Sequence, residues 1–196
     1  MNLILASASP RRREILASLG VPFTVRTADA DESCDIEDEG ARVEAIASKK
    51  CAATVALLMA EQPEGLPSDT VILASDTLVS VDGDFLGKPV DAADARRMVA
   101  RLQGRAHHVC SGLAVWYRGR TVTAHDTTEV LFAPMDDAAI DAYIATGESF
   151  GKAGAYAIQG HAARYIAGIH GDYFNVVGLP VHRLCRLLDE AFGLTL

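Results

Sequence analysis

The chain has 196 residues, of which 49% are hydrophobic, and a formal net charge of −8. This length and apolar content suffice for one large domain or two tightly joined lobes and argue against disorder. The negative charge argues against a protein that coats a nucleic-acid polymer, although a small anion can still bind where a few Lys and Arg side chains gather in one cleft.

The first half of the chain alternates apolar segments of strand length with segments of helical periodicity. Its predicted elements are, in chain order, strand 2–6, helix 14–19, strand 23–26, loop 29–40, helix 41–61, surface loop 62–68 and strand 71–74. Gly20 is expected to end the first helix, because glycine commonly follows a helix. Residues 78–81 and 85–86, separated by Asp82-Gly83-Asp84, have the pattern of a β-hairpin.

The second half of the chain continues this alternation. Its predicted elements are helix 91–103, a long hairpin with strands 107–117 and 121–132, helix 136–146 and a C-terminal helix at 179–192. In the last helix Leu184, Leu187 and Leu188 share one face, which predicts packing on a core. Strands alternating with helices predict an α/β or α+β sheet protein, and no internal repeat is present.

The sequence offers no sign of a membrane segment, a disulfide framework or a zinc cluster. The longest apolar stretch, 52–60, is far shorter than the roughly 20 residues that cross a bilayer. We therefore expect a cytoplasmic protein without a membrane partner. The cysteines are scattered and form no CxxC pair, which predicts buried reduced thiols. They are Cys34, Cys51, Cys110 and Cys185.

The segment 9–12, Ser-Pro-Arg-Arg, predicts a helix start that carries two guanidinium groups. Cations at a helix N-terminus oppose its dipole, unless an anion lies there and is also held by free backbone N–H groups. The Ser-rich turn that includes Ser7 is therefore predicted to cradle a phosphate with this helix start. The alternative is that Arg11 and Arg12 point to solvent or pair with carboxylates, and Arg13 is assigned to that alternative.

Asp76 follows the predicted strand 71–74, and the ends of strands are where sheet proteins commonly carry catalytic groups. The alternative is an aspartate that only caps its own turn. Lys88 favours the catalytic interpretation, because the predicted hairpin would return its ammonium group beside the same strand end. A carboxylate with a lysine suits hydrolysis of a phosphoanhydride.

The Gly-rich run 151–160 is too irregular for a helix or a strand throughout. Its glycines permit a close approach of backbone to a ligand, and Gln159 offers the donor and acceptor needed to read a nucleobase edge. A structural turn would have a similar composition. Asp31 and Glu32 are either hard-oxygen ligands for Mg²⁺ or part of a solvated loop. The histidines lack metal-ligand spacing, and neither a Walker motif nor a GxSxG elbow occurs.

Six short motifs occur in a fixed order along the chain. They are Ala6-Ser7-Ala8-Ser9-Pro10-Arg11-Arg12, Ser75-Asp76-Thr77, Gly87-Lys88-Pro89, Lys152-Ala153-Gly154-Ala155-Tyr156, Ile158-Gln159-Gly160 and Val177-Gly178-Leu179-Pro180. Together they resemble the Maf family of nucleotide pyrophosphatases over the whole chain. The resemblance implies a single domain over 1–196, with an elongated mixed α/β sheet flanked by helices and a central cleft between two lobes, similar to inosine triphosphatases.

The resemblance also implies a reaction and its residues. The reaction is hydrolysis of a nucleoside triphosphate between the α- and β-phosphates, giving a nucleoside monophosphate and pyrophosphate, with a divalent metal ion, Mg²⁺ or Mn²⁺. Asp76 matches the aspartate taken as general base or metal ligand, and Glu32 matches an acid that also serves the metal. The implied phosphate-binding residues are Ser7, Arg11, Lys50 and Lys88. The assignment of Lys50 competes with the adjacent Lys49.

Three positions separate subgroups of the family by base preference, and here they are Arg12, Thr77 and Gln159. This trio resembles the dTTP/UTP subgroup, whereas the 7-methyl-GTP subgroup would carry Gln at position 77 and Glu at position 159. Ser75 replaces a common Gly and Ala8 replaces a common Gly or Thr, and neither change removes a chemical group that the reaction needs.

The resemblance further implies a homodimer, a small-molecule nucleotide as the binding partner and a link to the arrest of septum formation. Two alternatives stay open. One is a nucleotide-binding regulator of septation that does not turn its ligand over, and the other is a house-cleaning enzyme that removes non-canonical nucleotides.

Overall fold

The structure is a computed structural model that describes residues 1–196. The strands are, in chain order, β1 Asn2–Leu5, β2 Phe23–Val25, β3 Thr70–Val81, β4 Asp84–Leu86, β5 Ala106–Tyr117, β6 Arg120–Phe132 and β7 Ile166–His170. The helices are α1 Pro10–Ser18, α2 Glu39–Glu61, α3 Ala92–Leu102, α4 Asp137–Ala145, α5 Tyr173–Val177 and α6 Val181–Phe192. The alternation of strands and helices confirms the predicted α/β class.

The strands form one seven-stranded sheet in the order β2-β1-β3-β5-β6-β7, with β4 paired to β3. Strand β1 pairs in parallel with β2 and with β3, whereas β3 pairs antiparallel with β4 and β6 antiparallel with β7. The sheet is therefore mixed, as predicted. No helix combines the length and apolar character needed to span a membrane.

The chain divides into two compact units. The first comprises Met1–Asp76, Ser111–Asp126 and Gly178–Leu196, and the second comprises Thr77–Cys110 and Thr127–Val177. In the first unit apolar side chains of β1, α2, β3 and β5 form a buried cluster. It contains Ile4, Ala6, Ala47, Cys51, Leu58, Ile72, Ala74, Ala114 and Trp116.

The second unit has its own aromatic core and well-capped helices. The rings of His107, Phe132 and Tyr156 contact one another, and the His107 and Tyr156 side chains are hydrogen-bonded at 2.8 Å. Asp91 and Asp136 are the N-cap residues of α3 and α4, and their carboxylates accept hydrogen bonds from backbone N–H groups of the first turn. Such caps stabilise a helix by about 1 kcal/mol.

The third strand corrects the sequence prediction. Strand β3 does not end at Ala74 but continues to Val81, so Asp76 lies inside a strand and not at its end. The parallel pairing with β1 covers Thr70 to Leu73, and the antiparallel pairing with β4 begins at Val79. Ser75, Asp76 and Thr77 would favour a turn in isolation, but here they continue the strand. Strand formation depends strongly on pairing with neighbouring strands, which local sequence does not show.

The hairpin and the irregular run of the second half were predicted correctly, whereas three short elements were missed. Strands β5 and β6 form the expected hairpin around Arg118 and Gly119, whose φ values of 47° and 81° give a turn of the primed type. The run 151–160 is irregular, as predicted, and contains only a short 3₁₀ turn at Ala153–Ala155. The sequence analysis missed β7 and α5, as well as a 3₁₀ segment at His161–Tyr165.

All four cysteines are free thiols. Cys51 and Cys110 are buried, whereas Cys34 is half-buried and Cys185 is exposed, so the prediction of buried thiols is wrong for the latter two. Burial raises the pKa of the Cys51 thiol to about 12, which makes this side chain an inert member of the core.

Candidate functional site

Ser7 organises the turn between β1 and α1. Ser9 and Pro10 occupy the N-cap and first helical positions, as predicted, but the Ser9 side chain makes no capping hydrogen bond. The Ser7 hydroxyl instead accepts a hydrogen bond of 3.3 Å from the Ser9 N–H and one of 3.0 Å from the Arg12 guanidinium. The Ser9 side chain therefore does not cap the first turn of α1, and Ser7 takes its place as the hydroxyl that organises the turn.

The carbonyl oxygen of Gly178 joins three segments of the first unit. It accepts a hydrogen bond of 2.7 Å from Arg12 Nε and one of 3.1 Å from the Ser75 hydroxyl. Gly178 has a φ of 122°, a left-handed conformation that favours glycine. Arg12 and Ser75 therefore tie α1 and the residue before Asp76 to the start of the last helical segment.

Arg12 is 8% exposed, which is unusual for an arginine. Burial lowers the pKa of its guanidinium to about 10. The negative charges of Asp76 and Glu32 oppose this shift, whereas the positive charge of Arg11 adds to it. These four charges therefore act on one another within the first unit. Arg11 itself is half-buried, and burial lowers its pKa against the opposing effect of Glu14.

Lys50 brings the two predicted carboxylates together. Its ammonium group lies 2.7 Å from Oδ1 of Asp76 and 3.1 Å from Oε2 of Glu32. The Lys50 and Asp76 side chains are only 18% and 16% exposed, whereas Glu32 is 56% exposed. The cluster therefore consists of a partly buried Lys50–Asp76 ion pair and a more exposed Glu32 carboxylate.

The structure distinguishes Lys50 from Lys49. The two lysines are adjacent on α2, where successive side chains point about 100° apart. Lys49 is exposed and donates to the carbonyl oxygen of Ser33 at 2.6 Å, while Lys50 contacts Asp76. The role of Lys50 in phosphate binding stays a prediction.

Lys88 belongs to the second unit and follows β4. It is exposed, while Pro89 beside it is buried. The Gly87 carbonyl accepts a hydrogen bond of 3.1 Å from the Gly154 N–H, which attaches the Gly-Lys-Pro segment to the irregular run 151–160. Gly154 has a φ of 68°, and Ala155 has a φ of 60°, which is costly for a residue with a Cβ and typical of sites shaped for a ligand.

Gln159 and Thr77 also belong to the second unit. Gln159 is exposed between the buried Ile158 and the half-buried Gly160, at the tip of a turn. Thr77 is half-buried in β3, directly after Asp76 in the chain. Both side chains therefore have solvent-accessible surface that a ligand could contact, and their role in base preference stays a prediction.

The family model described as Maf-like protein matches residues 2–191 of the chain. The chain belongs to the Maf family. It is 45% identical to a dTTP/UTP pyrophosphatase of Symbiobacterium thermophilum, over 98% of this chain and 94% of the relative. It is 49% identical to a dTTP/UTP pyrophosphatase of Moorella thermoacetica, over 95% of this chain and 93% of the relative.

Among solved structures, the Staphylococcus aureus Ham1 protein aligns with 68% of this chain and 72% of its own, at 13% identity and a TM-score of 0.46. That likeness is too low to carry an argument. The Maf assignment therefore stands on the family model and the sequence relatives.

The metal ion that the Maf family implies can be tested against the donor set. No group of three or more His, Cys, Asp or Glu side chains is placed to hold a metal. Glu32 and Asp76 nevertheless converge on one cation, the ammonium of Lys50. Two carboxylates suit Mg²⁺ or Mn²⁺, which commonly take their remaining ligands from water and substrate phosphates. The residues present therefore fit such an ion.

Sequence reasoning missed two contacts that hold the segments around Asp76 in this Maf chain. The Gly178 carbonyl is invisible to any motif that is read for side chains, although the Val-Gly-Leu-Pro motif marked its position. Ser75 was noted only as a replacement for Gly, yet its buried hydroxyl anchors the strand beside Asp76. The Ser75 hydroxyl and the Gly178 carbonyl are 103 positions apart in the sequence, so their hydrogen bond leaves no local signal.

Proposed function

We propose that the chain is a nucleoside triphosphate pyrophosphatase that hydrolyses dTTP and UTP to the monophosphate and pyrophosphate. The observation that carries this proposal is the Asp76–Lys50–Glu32 cluster, a carboxylate held against an ammonium group in a partly buried position. Membership of the Maf family and the names of the relatives support the substrate class.

The chemistry follows from the charges. A water attacks the α-phosphorus, a P–O bond forms, and the bond to the bridging oxygen breaks so that pyrophosphate leaves. The triphosphate is strongly anionic, and cations must neutralise it before a nucleophile can approach. We assign this task to Arg11, Lys50 and Lys88, with Ser7 as a further phosphate-binding residue.

Asp76 has two roles open to it. As a general base, it would accept the proton of the attacking water, and as a metal ligand it would share the ion with Glu32. The bound Mg²⁺ or Mn²⁺ would supply charge neutralisation at the phosphates and acidify a coordinated water. In the general-base role, Lys50 would orient the Asp76 carboxylate through their 2.7 Å contact.

Base preference is assigned to Arg12, Thr77 and Gln159. An exposed Gln159 amide can donate to a carbonyl oxygen of uracil or thymine and accept from the ring N3–H. The buried Arg12, which is bound to Ser7 and Gly178, acts on preference by shaping the turn that holds the nucleotide.

The decisive test is the substitution Asp76→Asn. We expect it to leave the fold intact and to reduce pyrophosphate release from dTTP by about 10²–10⁴-fold, since it removes the acceptor of a proton or a metal ligand. Release is measured with an enzyme-coupled pyrophosphate assay in Mg²⁺ and in Mn²⁺, and folding by thermal unfolding.

Asp69→Asn is the matched control, because Asp69 is an exposed carboxylate just before β3 and should be dispensable. Undiminished release by Asp76→Asn would contradict the assignment. Tight nucleotide binding by the wild-type protein without turnover, across dTTP, UTP, CTP, 7-methyl-GTP and inosine triphosphate, would favour a regulator and contradict the enzyme.

A further inference from the structure

Glu148 connects three parts of the second unit. It lies in the turn after α4, and its carboxylate accepts hydrogen bonds from the backbone N–H groups of His161 and Ala162, at 2.6 and 3.1 Å. It also accepts one of 3.0 Å from the Tyr143 hydroxyl. A single side chain therefore holds the first backbone donors of the 3₁₀ segment that begins at His161.

These hydrogen bonds also affect the pKa of the Glu148 carboxyl group. Partial burial would by itself raise the pKa of Glu148, yet the two backbone N–H groups and the Tyr143 hydroxyl hold it below its ordinary value. The carboxylate is consequently ionised near neutral pH, and charge-assisted hydrogen bonds of this kind are about twice as strong as neutral ones.

Gln159 occupies the turn directly before this anchor. The Gly160 N–H donates to the Ala157 carbonyl at 3.1 Å, which closes a tight turn with Ile158 and Gln159 at its centre. On the near side of the turn, the buried Tyr156 is held by His107. The backbone is therefore fixed both before and after Gln159, while the Gln159 side chain is exposed.

Gly160 shows how closely the carboxylate approaches this turn. A Cβ at Gly160 would lie 2.5 Å from Cδ of Glu148, closer than real atoms approach. The φ of Gly160 is −107°, outside the left-handed region, and its ψ of −146° lies beyond the usual β region. A side chain at position 160 would therefore displace the carboxylate from its present position.

We propose that Glu148 is the positioning residue of Gln159, because its carboxylate clamps the backbone directly after Gln159 and so sets where the amide meets the pyrimidine base. A free glutamine amide can rotate to match either uracil or cytosine, whose edges present opposite donors and acceptors. Selectivity for thymine and uracil over cytosine therefore needs a fixed amide as well as a glutamine. The inference rests on the proposed base-reading role of Gln159.

The test compares kcat/KM for dTTP with that for dCTP in Glu148→Ala, Gln159→Ala and the double variant. We expect Gln159→Ala to lower the dTTP/dCTP ratio about tenfold. Glu148→Ala should lower it by a similar factor, mainly through KM for dTTP. The double variant should resemble Gln159→Ala, because two residues that act through one contact are not additive.

Two further variants separate positioning from general destabilisation. Glu148→Gln should have an intermediate ratio, since either orientation of its amide turns an N–H₂ toward one of the two backbone donors. Asp136→Ala removes a carboxylate of the same chemistry, the cap of α4, and should lower the melting temperature without changing the ratio. If Glu148→Ala does not fold, Gly160→Ala displaces the carboxylate with the Glu148 side chain retained, and should lower the ratio.

The outcomes are distinguishable. An unchanged ratio in Gln159→Ala would contradict the base-reading role and, with it, this inference. A reduced ratio in Gln159→Ala together with a wild-type ratio in Glu148→Ala and Gly160→Ala would overturn the inference alone. Multiplying effects in the double variant would show that Glu148 acts independently of Gln159, which would also overturn it.

Discussion

At the scale of single residues, Lys50 has a double task. Its ammonium group compensates the Asp76 and Glu32 carboxylates when no other cation is present. Those carboxylates are also the proposed ligands of the divalent ion, and two cations cannot share them without repulsion. Binding of metal should therefore release Lys50 for the substrate phosphates.

This competition gives a prediction for the metal alone. Lys50→Met should bind Mn²⁺ several-fold more tightly than the wild-type protein in the absence of nucleotide, because two carboxylates lose their internal counter-ion. Titration followed by electron paramagnetic resonance of free Mn²⁺ measures this affinity. Lys49→Met is the control, since Lys49 contacts Ser33 and should leave the affinity unchanged. Weaker Mn²⁺ binding by Lys50→Met would place the metal elsewhere.

At the scale of elements, the cluster depends on how closely α2 packs on the sheet. A Cβ at Gly112 in β5 would lie 2.5 Å from the carbonyl oxygen of Val43 in α2. Backbone atoms cannot move aside as a flexible side chain can, so this glycine determines the distance between helix and sheet. Lys50, two turns further along α2, reaches Asp76 in β3 only at that distance.

Gly112→Ala should therefore destabilise the protein by about 1–3 kcal/mol, the usual range for overpacking. Urea unfolding gives the free energy of unfolding. Gly168→Ala is the matched control in another strand, because nothing lies within 4 Å of its Cβ and its φ is not left-handed, and it should be neutral. Equal stability of the two variants would show that the approach of helix and sheet is adjustable.

At the scale of the whole molecule, stability should depend on pH through a buried histidine. Burial, and then the charge of His108, lower the pKa of His107 from 6.5 to about 4. The unfolded chain takes up this proton near pH 6.5 and the folded chain only near pH 4. The contribution of neutral His107 to the free energy of unfolding is therefore fully present above pH 6.5 and is lost as the pH falls to about 4. The free energy of unfolding falls by about 3 kcal/mol at most over this range.

The expected result is a free energy of unfolding that falls between pH 6.5 and 4 more steeply in the wild-type protein than in His107→Gln. Urea unfolding at a series of pH values measures the slope, and carboxylates contribute equally to both proteins. His182→Gln, at an exposed position of α6, should keep the wild-type slope. Equal slopes for wild type and His107→Gln would show that His107 does not carry the effect.

The sequence by itself determined the features that repeat locally. Period-2 and period-3.6 patterns located most strands and all the long helices to within a few residues, because one buried face imposes each period. The start of α1, with Pro10 and two arginines, is likewise a local signal. The ordered motifs identified the family and the candidate residues, since each motif is contiguous in the chain.

Only the tertiary structure decided what depends on partners distant in sequence. Strand β3 continues through Asp76 because neighbouring strands extend it, and β7, with little alternation of burial, exists through its pairing with β6. That Lys50 contacts Asp76, 26 residues away, while Lys49 does not, is visible only in the fold, and so is the contact of Glu148 with the backbone of His161. Such contacts leave no periodic trace, because each joins two points that the chain brings together only on folding.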